Sequence, residues 1–204
     1  MSRPSAVVFD IGNVLLTWDP RRLYRRLLPD EEAVEHFLTT VCTLEWNSAQ
    51  DAGRPWAEGV ATLVAEHPEH RDLIEAYDTR WEDMVGGPIE GSVAVLDELR
   101  TAGVPVFAIT NFSVEKFSVT RSRFDFLGWF GDIVLSGEEG VVKPDPEIFR
   151  RALARFAVKA EEAVFVDDTP VNVEAAAALG MTGLHFTDPA GMRRAFVRLG
   201  LLGA

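Results

Sequence analysis

With 204 residues, a formal net charge of −12 and 47% apolar against 25% charged residues, the chain has the composition of an ordinary globular protein. It is long enough for one substantial core and a smaller appended unit. The acidic balance argues against binding to nucleic-acid backbones, whose affinity comes from clustered Lys and Arg, but it leaves room for a small or metal-complexed substrate, because the local field matters more than the total charge. The single cysteine, Cys42, excludes an intramolecular disulfide and a thiolate zinc cluster. No apolar run approaches the roughly 20 residues that span a bilayer or has the layout of a signal peptide, so a cytoplasmic protein without a membrane partner is expected.

Ala6-Val7-Val8-Phe9 is a short apolar run that ends on Asp10 and reads as a buried parallel strand. The segment from Ile11 to Pro20 carries turn chemistry among apolar residues, which predicts a tight turn or hairpin. The pattern then becomes helical, over 21–28, 30–41 with an acidic first turn, 55–66 and 70–84, broken at Pro29, Gly53 and Pro68. A helical block placed between the first strand and its continuation looks like a lid. After Gly86-Gly87-Pro88, strand and helix alternate: a helix from Glu90 to Thr101, a strand over 104–109, a helix over 114–124, an extended piece over 132–135 and a helix over 145–156. A strand over 163–166, an Ala-rich helix over 171–179, a strand over 182–186 and a last helix from Pro189 follow.

Three of these apolar runs end on polar residues of catalytic use: 6–9 on Asp10, 106–109 on Thr110-Asn111, and 163–166 on Asp167-Asp168. Crossovers in a parallel sheet return every strand to the same edge, so these residues converge where open α/β sheets bind ligands. Three carboxylates at one edge resist joint ionisation and call for positive charge among them. A hard divalent cation suits oxygen ligands, and Mg²⁺ suits one or two carboxylates, a backbone carbonyl that Gly12 can offer, waters and a phosphate oxygen. Asp168, just ahead of Thr169-Pro170, has the alternative role of capping the next helix.

Lys143 lies in Gly140-Val141-Val142-Lys143-Pro144-Asp145-Pro146, where the prolines after it fix its direction. Its plain reading is solvated surface; its chemical reading is a cation that neutralises a carboxylate and a phosphoryl oxygen. Thr110, Asn111 and Ser113 offer hydroxyl, amide and backbone donors of the kind that hold phosphate at a helix N-terminus, with simple N-capping as the alternative. His67-Pro68-Glu69-His70 has metal-like spacing, but its proline interrupts a helix and exposed histidines are expected. Most aromatic side chains belong to the core, with Trp46 or Trp56 the ones expected to line a pocket.

Four motifs in order resemble those of the haloacid dehalogenase superfamily of hydrolases: Phe9-Asp10-Ile11-Gly12-Asn13-Val14, Ile109-Thr110-Asn111, Lys143-Pro144-Asp145-Pro146 and Phe165-Val166-Asp167-Asp168. The resemblance covers essentially the whole chain. It implies an α/β fold, with a Rossmann-like parallel-sheet core and helices on both faces (1–17 and 86–204) and an α-helical cap inserted after the first strand (18–85). It also implies that Asp10 is the nucleophile, that Thr110, Asn111 and Lys143 surround the transferring group, and that Asp10, Gly12, Asp167 and Asp168 form the Mg²⁺ site, with Asp168 the foremost acidic ligand. The wording around Asp10, with Trp46, Asp51 and Gly53, is most similar to the branch that contains bacterial glucose-1-phosphate phosphatases.

Gly12 departs from the commoner pattern, which places a second Asp there as general acid and base; the branch just named shares the glycine. General acid catalysis is worth roughly 10² to 10⁴ in rate, so its absence is expected to favour good leaving groups such as aryl and sugar 1-phosphates. Asp19, where the chain enters the helical block, is the rival acid, against a plain turn role. The leading expectation is an Mg²⁺-dependent hydrolase of small phosphorylated metabolites acting through an aspartyl-phosphate. The alternatives are a hydrolase of carbon–halogen bonds, for which Gly12 suffices but two extra carboxylates repel a haloacid, and a non-catalytic binding protein on the same fold.

Overall fold

The computed structural model describes residues 4–203. Strand β1 (Ala6–Phe9) is buried along its whole length. Val7 and Phe9 pack to one side and Val8 to the other, as the two-residue period of a strand requires. After β1 come β2 (Leu16–Trp18), β3 (Val85–Pro88), β4 (Val106–Thr110), β5 (Ile133–Leu135), β6 (Ala163–Asp167) and β7 (Thr182–His185). Five of them form one sheet in the order β5-β4-β1-β6-β7, every pairing parallel. β1 lies between β4 and β6, so the chain reverses its direction of travel across the sheet beside β1, the place where such sheets bind ligands.

Five helices lie between β2 and β3: α1 (Arg21–Tyr24), α2 (Glu31–Thr40), α3 (Leu44–Asp51), α4 (Trp56–Glu66) and α5 (Arg71–Thr79). The remaining helices are α6 (Glu90–Thr101), α7 (Val114–Arg123), α8 (Ser136–Glu139), α9 (Pro146–Phe156), α10 (Pro170–Ala178) and α11 (Pro189–Arg198). Leu96 and Leu99 of α6 and Phe196 of α11 pack with Val7 and Phe9, while Ile148 and Phe149 of α9 and Ala176 of α10 pack with Val8 and Phe165. The sheet is therefore covered on both faces, as its unbroken apolar strands demand.

The expected turn after Asp10 is present. Leu15 and Leu16 both donate their backbone N–H to the Ile11 carbonyl, at 2.9 and 3.0 Å. Asn13 takes the left-handed conformation, φ 52°, and its side-chain oxygen accepts from Trp18 N at 2.9 Å. Strand β2 leaves this turn to pair antiparallel with β3, Leu16 opposite Pro88 and Thr17 opposite Gly87. The hairpin partner thus lies at the far end of the helical block, and one two-stranded ribbon carries the chain both out and back.

Helix α3 was not expected from the sequence. Its buried residues are Asn47, Gln50 and Asp51, so the inward stripe that ordinarily betrays a helix is polar here. The expected 70–84 helix ends at Thr79 and continues as a single 3₁₀ turn, Trp81–Met84.

Asp51, the last residue of α3, joins the insertion to the sheet. Its Oδ1 accepts from Ser113 N at 3.1 Å and its carbonyl accepts from the Ser136 hydroxyl at 2.5 Å. A Cβ at Gly137 would meet the Phe112 carbonyl at 3.0 Å, so glycine is what lets the β5–α8 corner approach the β4–α7 loop. Trp56 of α4 adds an indole bond to Ser113 Oγ at 2.8 Å.

Burial pushes the Asp51 carboxyl from 3.8 up to about 7, against the bonds from Ser113 N and the Asn47 amide. The unfolded chain releases this proton near its ordinary value, so between the two values the folded chain binds more protons and stability falls as pH rises, levelling above about 7. Asp51→Asn removes this dependence. In urea titrations from pH 4 to 8 the variant is expected to gain on the wild type by a few kcal/mol, on the order of 1.4 for each unit of the shift; parallel profiles contradict the assignment.

Candidate active site

Asp10 follows the last residue of β1, with its N–H bonded to Val166 O at 2.8 Å, and so stands beside the end of β6. Thr110 ends β4, and Asp167 and Asp168 end and follow β6. Parallel pairing brings these strand ends to one edge, as expected. Lys143 enters from the loop between α8 and α9, and its ammonium lies 2.9 Å from Asp10 Oδ1 and 2.7 Å from Asp167 Oδ2. The lysine is buried, so its plain surface reading does not hold.

Burial alone would lower the lysine pKa, but Asp10 and Asp167 outweigh it and the net shift is upward, keeping the ammonium charged. Burial likewise pushes Asp10 up to about 6; Lys143 opposes this and Asp167 reinforces it. Near neutral pH the ammonium is therefore charged, and Asp10 is more easily protonated than an ordinary aspartate.

The acidic pair divides its work. Asp167 is buried and saturated: Oδ1 accepts from Thr169 N at 2.8 Å, Asn172 Nδ2 lies 3.1 Å from both oxygens, and Oδ2 takes the lysine. Asp168 is half-buried, and among the described residues its side chain accepts one hydrogen bond, from the Thr169 hydroxyl at 3.3 Å. Helix α10 takes Thr169, not Asp168, as its N-cap residue, so the capping alternative for Asp168 is not realised. Burial, and next the Asp167 charge, raises the Asp168 pKa.

Oxygen atoms of Asp10, Asp167 and Asp168 lie within 4.8 Å of one another. An all-oxygen set of this span fits a hard divalent ion such as Mg²⁺, with Gly12 close by in the same cavity.

Asn111 lines the same cavity as Asp10, and its amide donates to Lys143 O at 3.0 Å and accepts from Lys143 N at 2.8 Å, so the side chain fixes the lysine backbone. Ser113 is likewise engaged, capping α7 and bonding Asp51 and Trp56. Asp19 accepts from Arg21 N at 3.0 Å and lines a neighbouring cavity, not the one that holds Asp10. His67 and His70 lie beside Glu69, away from the carboxylates.

The cavity over this centre has a volume of about 440 Å³, and Asp10, Thr110, Lys143 and Asp168 line it together. Trp18 and Trp81 supply its aromatic wall, in place of Trp46 and Trp56, which pack on each other and on Tyr77. Asn172 was missed in the sequence; its signal is a lone amide among the apolar residues of the first turn after Asp167-Asp168.

Replacing Lys143 by Met leaves two buried carboxylates without their cation. The expected loss is about 3–5 kcal/mol at neutral pH, shrinking in acid as Asp10 takes up a proton. Denaturant titrations at pH 5 and 8 read both; a loss under 1 kcal/mol, or one that does not shrink, means that the lysine is not what holds the pair together.

A family model described as a haloacid dehalogenase-like hydrolase matches residues 4–180. A sesquiterpene phosphatase of Aspergillus oryzae is 30% identical over 183 residues, 90% of each chain. A glyceraldehyde 3-phosphate phosphatase of Methanopyrus kandleri is 30% identical over 139 residues, 59% of each chain. Among solved structures, a HAD family enzyme of Bacteroides thetaiotaomicron in complex with magnesium and inorganic phosphate superposes with a TM-score of 0.71, at 19% identity, over 91% of this chain and 95% of that one. With the motif residues gathered at one sheet edge and the family match spanning most of its length, the chain belongs to the haloacid dehalogenase-like hydrolases.

Proposed function

We propose that the protein is an Mg²⁺-dependent phosphomonoester hydrolase that works through an aspartyl-phosphate on Asp10. The observation that carries this is the centre itself: a carboxylate at the end of β1, bonded to a buried lysine and grouped with two further carboxylates whose negative charge invites a cation. The two phosphatase relatives support the same reaction class, and their names give two different alcohols, so they support phosphate removal more than any one substrate. A carbon–halogen hydrolase fits less well, because Asp167 and Asp168 would repel a haloacid anion. The helices between β2 and β3 act as a cap (18–85) over a core formed by 1–17 and 86–204.

Asp10 attacks phosphorus with one oxygen; the bond from phosphorus to the alcohol oxygen breaks, and the alkoxide takes its proton from solvent. Water then attacks the phosphorus of the aspartyl-phosphate, releasing phosphate and restoring the carboxylate. Lys143 balances charge on the transferring oxygens, and Thr110 lies beside them. Asp167 and Asn111 hold the lysine in place. Bound Mg²⁺, held by Asp10, Asp168 and the Gly12 carbonyl, would neutralise phosphate charge.

Asp10→Asn is expected to lose at least about a thousandfold in release of p-nitrophenol from its phosphate ester while keeping its circular dichroism. EDTA is expected to abolish the wild-type activity and Mg²⁺ to restore it. Full activity in EDTA overturns the metal reading, and an active Asp10→Asn overturns the nucleophile.

Gly12 gives no proton to the leaving oxygen, so log kcat/KM is expected to depend steeply on the alcohol pKa across aryl and alkyl phosphates. A Cβ at Gly12 meets nothing within 4 Å, so Gly12→Asp has room for its first carbon. That variant is expected to flatten the slope. A shallow slope in the wild type means that another group donates the proton.

A further inference from the structure

Beside its carboxylates and lysine, the cavity has an apolar part to its lining. Trp18, Leu44, Trp81, Phe112 and Val171 line it, and Leu44 and Val171 are 67% and 52% exposed. They are two of the four large apolar residues that stand exposed among the described residues, and both lie at this cavity. An exposed apolar side chain is unremarkable when single; two at the mouth of one cavity, backed by two indoles, make a surface that water wets poorly.

Several polar groups of the same lining are bonded within the protein, while the Asn47 amide oxygen and the Trp18 and Trp81 indole N–H groups are buried without a partner, all of them uncharged. Asn47 Nδ2 donates to Asp51 Oδ2 at 2.8 Å, Asp51 Oδ1 takes Ser113 N, and Asn13 Oδ1 takes Trp18 N. Lys143 is the one cation among the described residues lining the cavity, and its charge is already matched by Asp10 and Asp167. No further positive group waits for a second phosphate or a carboxylate.

The cavity also continues. A second one, of about 610 Å³, shares Asn13, Trp18 and Leu44 with it and adds Leu38 and Cys42. Arg21, at that cavity, is occupied by Glu35 and Asp19.

We infer that the alcohol half of the substrate is an apolar chain or ring system, with no second anionic group, that lies along Trp18, Leu44 and Trp81 and extends past Leu44 into the second cavity. The inference rests on the phosphomonoesterase reading and adds no chemical step to it. Phosphate supplies the common anchor, and the apolar body supplies the selective part of the binding free energy.

The test is a series of unbranched alkyl phosphates, from ethyl to decyl, kept below micelle concentration, with glucose 1-phosphate, fructose 1,6-bisphosphate and p-nitrophenyl phosphate alongside. From butyl onward the leaving-group pKa is nearly constant, so chain length reports burial alone. kcat/KM is expected to rise about fourfold for each methylene until the cavity is filled, the factor set by burying one CH₂. Decyl phosphate is expected to exceed both sugar phosphates. In Leu44→Glu, at an exposed position where folding is not at stake, the rise per methylene is expected to fall well below the wild-type value.

A flat or falling series, a sugar phosphate ahead of decyl phosphate, or an unchanged slope in Leu44→Glu overturns the inference. If p-nitrophenyl phosphate is turned over in any of these cases, the phosphatase reading stands while the apolar alcohol fails. If no ester is hydrolysed with Mg²⁺ present, the phosphatase reading itself fails.

Discussion

Lys143 Nζ sits 2.9 Å from Asp10 and 2.7 Å from Asp167 in a place closed to bulk water, and much of the surrounding structure serves to keep it there. A buried ammonium without partners would give up its proton, and two buried carboxylates without a cation would take one up. Each group is charged because the others are. The Asn111 amide bonds both backbone groups of the lysine, Asn172 and Thr169 hold Asp167, and Asp10 is tied through its backbone to β6. The strands fix the two carboxylates and the loop fixes the ammonium, so the geometry is set before any substrate arrives.

With Asp167 spent on the lysine, the balance of charge at the edge stays negative and Asp168 is the group left underused. The pattern separates two tasks that the adjacent residues Asp167 and Asp168 would otherwise share: one orients a cationic side chain, the other faces a cavity where an ion can be held. The insertion bears on the same place from above. Its α3 ends on Asp51, bonded to the β4–α7 loop at Ser113 and to Ser136 at the start of α8, so the helix carrying Leu44 and Asn47 is fastened to the loop that follows Thr110 and carries Asn111. What the cavity accepts and what the centre does are thus linked by a few hydrogen bonds to a single residue, Asp51.

Strand ends were legible because four apolar residues in a row have few explanations other than a buried parallel strand, and the polar residues that follow them then lie at one edge by topology alone. Asp10, Thr110 and the acidic pair were found this way. Helix α3 was not, because its inward side chains are Asn47, Gln50 and Asp51, and a polar stripe gives periodicity no purchase. Strand β3 was not expected, since Gly86-Gly87-Pro88 has poor strand chemistry, and it pairs with β2 across the whole length of the insertion. The bonds of Asn111 to the lysine backbone and of Asn172 to Asp167 were not legible, because they depend on which atom an amide reaches, and that is settled by tertiary placement.

The claim on which the account turns is that Asp10 carries the phosphoryl group. Rapid acid quench of enzyme turning over p-nitrophenyl phosphate with Mg²⁺, followed by borohydride reduction and peptide mass spectrometry, reads it directly, because an aspartyl-phosphate is reduced to homoserine and a free aspartate is not. The account predicts homoserine at position 10 and nowhere else. An unmodified Asp10 under conditions of steady turnover, or reduction at any other carboxylate, would contradict it.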